Sequence, residues 1–376
     1  MGRVSAFLGA ALLTACGGPA EEASTAPVMD PDDPYYCHPD TIAGWTEWAE
    51  ASDQGLWEGD PSHSLRFTWL QSYGGDRDMD PPFYSIWEGA VSGDSLFIAD
   101  YAGCRVVCMD VEGNVLWTRG EQGEGPGHFG SLCNVAVSDR FVRAADGMLD
   151  KVEVLDRSGQ LLHLVPVSNP TDVVFIDDST FAVLSAIEAG GEVHLYDCSG
   201  GKLRSFGEAE WFSQPREVLF RMQDSYSALK APDSVLLVSR WDTYHIYPFH
   251  LDDGTVGDDL ARVYPTDVKE PQFRAQGNQV SGAFFRNMGK LFTGPEGMLN
   301  VELGNFSVNG NVLGGPDSVS APVRLIDRYD WDWNYLDTYC LPMDGEIIAY
   351  SPEYGMFAHD YATGALVRFR VETGEP

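Results

Sequence analysis

Hydrophobic residues along this chain fall in short runs of five or six, each closed by an acid and a turn, and the unit recurs. The clearest copy reads Ser95-Leu-Phe-Ile-Ala-Asp100, a turn, Cys104-Arg-Val-Val-Cys-Met-Asp110, then Val111-Glu112-Gly113. A second follows at Phe141–Ala145 and Lys151–Asp156, and a third at Thr180–Ser185 and Glu192–Asp197. Weaker copies run over 234–254, over 298–303 with 323–327, and over 355–374. Alternating β-branched and aromatic residues in such short runs predict strands covered on both faces. The D-x-x-G ends at 110–113, 156–159 and 197–200 predict turns in which Asp caps its own backbone and Gly takes positive φ. No amphipathic helix is predicted after residue 35.

The acids that end these units, at 110, 156, 197, 252, 327 and 372, are 46, 41, 55, 75 and 45 residues apart. A four-stranded propeller blade takes about 40–50 residues, and longer gaps accommodate insertions. Six copies therefore predict an all-β fold: a single six-bladed β-propeller of four-stranded antiparallel blades over 64–376. Closing a ring also removes exposed sheet edges. Two segments resemble the bacterial six-bladed propellers akin to NHL-repeat proteins. Glu121-Gln-Gly-Glu-Gly-Pro-Gly-His-Phe129 is similar to their G-x-G-x-G-P-G-E-F blade junction, with His128 in place of Glu. Asp100 to Val106 is similar to their D-x-x-N-x-R-I signature, with Gly103 in place of Asn. The resemblance implies that an N-terminal strand completes the last blade, for which 64–73 is the candidate, paired with 365–372.

The N-terminus changes the picture of where the ring resides. Arg3 precedes an apolar stretch, Val4–Leu13, too short to cross a bilayer but of signal-peptide proportions. Leu13-Thr14-Ala15-Cys16 resembles the bacterial lipobox, which implies a signal peptide over 1–15 and a lipidated Cys16. Several acyl chains on one residue anchor stably. Gly17, in place of the Asp of an inner-membrane retention signal, points to the outer membrane. Residues 17–34 are small, acidic and Pro-rich, a flexible tether, and 35–63 is an N-terminal extension. Export permits disulfides among Cys37, Cys104, Cys108, Cys133, Cys198 and Cys340, and 15 complete pairings are open. Cys104 and Cys108, on one strand, stand too far apart to pair.

With 57 acidic against 24 basic residues the net charge is −33, which excludes nucleic acid and anionic membrane surfaces as partners. The glycine loop 120–127 precedes a strand and lacks a helix N-terminus, so it predicts a turn rather than a phosphate site. Asp330-Trp-Asp-Trp-Asn334 begins like a calcium loop, but Tyr335 and Leu341 stand where Gly and the bidentate Glu belong. The histidines at 128, 163, 194, 245, 250 and 359 are scattered over different copies, without metal-ligand spacing. No catalytic residue and no cofactor is assigned, and a divalent metal has no supporting motif. The aromatic and amide residues of the divergent fourth and fifth copies, Trp241, Tyr244, Asn305, Trp331, Asp332, Trp333 and Tyr335, form the candidate ligand surface. The expectation is a lipid-anchored extracytoplasmic module that binds a peptide, glycan or protein. The alternatives are a metal-dependent lyase or lactonase-type hydrolase, and a structural subunit of an envelope complex.

Overall fold

The computed structural model describes Tyr35–Tyr36 and residues 65–74, 82–207 except 186, 226–261 except 241–243, 272–283 except 277–278, 288–303, and 325–373 except 342, 344 and 362. Its only helical element there is the 3₁₀ turn Pro295–Gly297. Six four-stranded antiparallel sheets follow one another in chain order. They cover 86–119, 132–166, 172–206, 226–261 and 288–340, and the sixth combines 345–373 with Leu65–Tyr73. In each blade the first strand lies innermost, and each innermost strand packs against the next, from 86–92 round to 345–351 and back to 86–92. The ring is closed, as the repeat count required.

Closure uses the expected strand. Leu65–Tyr73 pairs antiparallel with Leu366–Thr373, Leu65 opposite Thr373 and Tyr73 opposite Leu366. Tyr35–Tyr36 adds a short fifth strand outside it, pairing with Phe67 and Arg66. The sequence pattern did not predict that addition, nor the hairpin Gln272–Gln276 with Gln279–Ala283 between blades four and five.

The core explains the repeat. Six hydrophobic clusters lie between successive blades, one for each junction around the ring. Strands such as Ser95–Asp100 and Arg105–Asp110 are buried almost end to end because both faces meet a neighbouring blade. The D-x-x-G turns form as expected: Asp110, Asp156 and Asp197 each accept two backbone N–H groups within their own turn. In blade five the corresponding acid is Asp330, not Asp327. The third strand is Leu325–Tyr329, and Asp330 accepts the N–H groups of Asp332 and Asn334. Trp333 occupies the glycine position there with φ 67, which concealed the motif.

Candidate functional site

The signature residues build the upper face, the end of the ring where second strands turn into third strands and each blade hands over to the next. Asp100 accepts hydrogen bonds from the N–H groups of Tyr84, Ser85 and Gly103, and Arg105 Nε donates to it at 2.9 Å. Arg105 also reaches Pro82 O at 2.6 Å. In blade two Asp146 repeats this, accepting from Gly130, Ser131, Met148 and Leu149. The acid thus ties the turn of its own blade to the linker arriving from the previous one. The glycine loop is part of the same clasp. Gly127 donates to the buried Glu153 at 2.7 Å, and Lys151 bonds Gly125 O and His128 O. Gly127 has φ +78, and a Cβ there would collide with the Arg119 guanidinium.

These clasps hold the start of the inner strands of blades one and two, and polar residues recur in the first half of the inner strands. Glu88, Asn134, Asp172, Lys290 and Glu346 come from blades one, two, three, five and six. Lys290 reaches past blade six to blade one: its ammonium lies 3.3 Å from Glu88 and donates to Trp87 O at 3.0 Å and Ile347 O at 2.8 Å. Across the axis Asp172 accepts from Asn134 Nδ2 at 2.6 Å and from the Ala228 N–H at 2.7 Å. Leu291 N–H bonds Ser227 Oγ at 2.9 Å. Inter-blade hydrogen bonds therefore staple the inner strands.

The electrostatics are strained. Burial pushes the Glu88 carboxyl up to about 7, against the pull of Lys290 and with the push of Glu346. Asp172 is raised well above the usual carboxylate range, by burial first and by Glu88 second. Glu88 nonetheless keeps 20% of its side-chain surface, although protein surrounds it. Residues 87–92 of its strand, the innermost of blade one, are likewise half-buried. The upper face exposes Tyr84 (62%), Tyr101, Met148 and Tyr361. Trp87 packs on Tyr101 with ring centroids 5.1 Å apart, and Tyr361 meets His359 edge-on.

The residues expected from sequence to form a ligand surface fall in different places. Trp241, Asn305 and Cys16 lie outside the described residues. Tyr244 is buried between blades four and five, its hydroxyl 3.1 Å from Asp327 and 2.8 Å from Tyr329. Trp331, Asp332 and Trp333 sit in the turn between the third and fourth strands, on the lower face. There Trp331 Nε1 donates to Gly297 O at 2.9 Å. Trp333 and Tyr335 pack on the cluster between blades four and five, and the Tyr335 hydroxyl meets Thr338. Asp330 gives both carboxylate oxygens to its own turn, with Asn334 Nδ2 at 2.9 Å.

Among the described residues no three His, Cys, Asp or Glu side chains are grouped to hold a metal. His194 illustrates why: it is fully buried in blade three, lowered to about 4 chiefly by desolvation, with Nδ1 2.8 Å from Ser205 Oγ. Cys104, Cys108, Cys133 and Cys198 are free thiols, and burial raises Cys108 and Cys133 to about 12. The axial set was missed by sequence reasoning. Its signal is a polar residue two places into an otherwise apolar inner strand, as in Ile86-Trp-Glu88, Leu132-Cys-Asn134 and Met288-Gly-Lys290.

No protein-family model matches the chain, and no curated relative matches it. Solved structures do. Hydrazine synthase from Kuenenia stuttgartiensis aligns over 75% of this chain and 76% of its own, at 14% identity and a TM-score of 0.50. Streptogramin B lyase aligns over 81% and 98%, at 11% identity and 0.50. A member of the duf4221 family from Bacteroides vulgatus aligns over 82% and 99%, at 9% identity and 0.51. At these identities the likeness is one of fold.

Proposed function

We propose that this protein is a lipid-anchored binding module of the bacterial envelope, its propeller held outside the cytoplasm by Cys16 and taking its ligand at the axial mouth of the upper face. The observation that carries the reading is the conjunction at that mouth. Exposed Tyr84, Tyr101, Met148 and Tyr361 stand at the upper face, the end of the ring at which the inner strands carrying Glu88, Asp172 and Glu346 begin. Aromatic faces over a few convergent polar groups are what small ligands and peptide side chains use for recognition. A peptide, glycan or protein segment is the ligand class.

Binding is favoured over metal-dependent lyase or lactonase chemistry by the donor set. Glu88 is already paired with Lys290, and among the described residues no three His, Cys, Asp or Glu side chains are grouped. The anchor reading rests on the apolar stretch before Cys16. No helix among the described residues is long and apolar enough to cross a membrane. A second reading, a structural subunit of an envelope complex, is favoured by the outermost strands, where Leu116 (54%), Leu203 (57%) and Leu162 stand exposed.

Peptide and glycan arrays probed with residues 35–376 test both readings. Tyr84→Ala with Tyr101→Ala is expected to abolish the signal, whereas Leu116→Ser with Leu203→Ser preserves it. The reverse pattern moves the site to the outer edge. Cys16→Ala is expected to release the full chain from the membrane fraction, and unchanged association refutes the anchor.

A further inference from the structure

We infer that Cys198 is an oxidation site, a thiol that a hydroperoxide converts to a sulfinate held by the buried guanidinium of Arg143. The inference stands on a position shared by the blades and on a group of buried donors left without an acceptor.

The residue that follows the end of each third strand packs against the preceding blade. Val111, Cys198 and Leu251 each donate a backbone N–H to the first hairpin turn of their own blade, at Asp94 O, Ser179 O and Ser234 O. The neighbour across the joint comes from the second strand of the preceding blade. Val111 shares a cluster with Phe357, Leu251 with Ala182, and Trp331 with Leu237. Arg157 lies over the Phe97 ring at 4.5 Å. At the joint between blades two and three, the same two positions are held by Arg143 and Cys198. The side-chain faces agree. Arg143 lies over the Phe181 ring at 4.0 Å, and Phe181 stacks on Tyr196 at 5.3 Å. Cys198 follows Tyr196 by two residues and so takes the same face of the strand. The thiolate form of Cys198 also favours the Arg143 charge.

This joint is short of an acceptor. Arg157 donates to Ser138 O and Ser92 O, whereas Arg143 is fully buried and its nitrogens have no partner among the described residues. His163 Nε2 is likewise unmet, and it lies 3.5 Å from where a Cβ on Gly200 would stand, two residues past Cys198. Buried donors without acceptors cost free energy, and a buried unpaired charge costs more. A thiol accepts weakly, while a sulfinate offers two anionic oxygens to a guanidinium fork. Cys198 is half-buried in a turn, within reach of a small oxidant. Burial instead raises the thiols of Cys104, Cys108 and Cys133, which keeps them protonated and slow to react.

The chemistry proceeds in two steps. Cys198 Sγ attacks a peroxide oxygen, the S–O bond forms as the O–O bond breaks, and the leaving oxygen takes the thiol proton as water or an alcohol. A second peroxide turns the sulfenic acid into a sulfinic acid in the same way, and that acid ionises. In each step sulfur loses two electrons to the broken O–O bond. The product is an ion pair across the joint, so oxidation tightens the ring between blades two and three.

The test exposes the full chain to hydrogen peroxide and locates the added oxygen by peptide mass spectrometry. Cys198 is expected to gain two oxygen atoms ahead of Cys104, Cys108 and Cys133. Melting curves then show what holds the product, with Cys198→Ser correcting for oxidised methionines. Oxidation should raise the melting temperature of the parent and lower that of Arg143→Met. Cys198→Asp places a carboxylate at the same position without an oxidant. A double-mutant cycle with Arg143→Met is expected to show a coupling of about tenfold or more in the unfolding constant, as one charge-assisted hydrogen bond contributes. The oxidation measurements decide alone should Cys198→Asp not fold. Oxidation that reaches the other thiols first, or a Cys198 product that shifts melting alike with and without Arg143, overturns the inference. So does a coupling below about twofold, the scatter of independent sites.

Discussion

Replacing Glu88 by Gln should make the propeller more stable above neutral pH. In the unfolded chain this carboxyl titrates near 4.5, while in the ring burial holds the proton to about 7. Between those values the unfolded state binds fewer protons, so stability falls as pH rises from about 4.5 to 7 and stays low above. A difference of roughly 2.5 pKa units corresponds to about 3 kcal/mol. Gln keeps a carbonyl oxygen for Lys290, which also retains Trp87 O and Ile347 O, and it carries no charge to desolvate. At about 2 cal/mol/K of unfolding entropy per residue, a ring of this size turns 3 kcal/mol into roughly 5 °C of melting temperature. The measurement is the difference in melting temperature between Glu88→Gln and its parent across pH 4 to 8. That difference cancels groups common to both proteins, such as His194, whose lowered pKa gives the opposite slope between about 4 and its ordinary value. It should be near zero at pH 4 and reach about 5 °C by pH 8. A difference that is flat with pH, or a variant less stable at pH 8, refutes the argument that the axis holds a desolvated carboxylate.

Lys290→Met removes the cation paired with Glu88 and leaves two carbonyls unmet, so a loss of about 3–5 kcal/mol is expected in denaturant titrations, larger at pH 8 than at pH 5. Arg143→Met is expected to stabilise by about 1–3 kcal/mol. Its guanidinium is fully buried between Phe175 and Phe181, at 4.1 and 4.0 Å, none of its nitrogens has a hydrogen-bond partner, and desolvation lowers it to about 10. A loss of stability there would mean that the ring faces outweigh the unmet donors. Phe67→Ala in the closing strand empties a fully buried site against Tyr339 and Phe369, at an expected cost of about 3–5 kcal/mol. Equilibrium unfolding measures it, and a cost below about 1 kcal/mol would mean that the closing strand contributes little to the ring.

How much of this was legible in the sequence depended on whether the information was local. The blades announced themselves because each strand pair carries its own turn chemistry, Asp110 with Gly113 or Asp156 with Gly159, within a few residues. The closing strand was legible through the resemblance to six-bladed propellers, which implied an N-terminal strand in the last blade, and Leu65–Tyr73 does pair with Leu366–Thr373. The fifth blade was read three residues out of step, since Trp333 adopts the left-handed conformation that glycine elsewhere advertises. Each polar residue of the inner strands interrupts an apolar run, but which of them meet was not legible. Glu88 and Lys290 are 202 residues apart in sequence and meet only because a closed ring brings inner strands together. The aromatic run 331–335 drew notice by composition, but composition does not tell which end of a blade a turn occupies. Strand order does, and it puts Trp331 beside Gly297 on the lower face.

The central claim, that this ring recognises its ligand at the upper axial mouth, is tested most directly by hydrogen exchange on residues 35–376 with and without the strongest array ligand. The account predicts slowed exchange in 82–88, 101–104 and 147–150, around Tyr84, Tyr101 and Met148, with 115–119 and 202–206 unchanged. Protection confined to those outer strands, or to the turn 330–334, would contradict it.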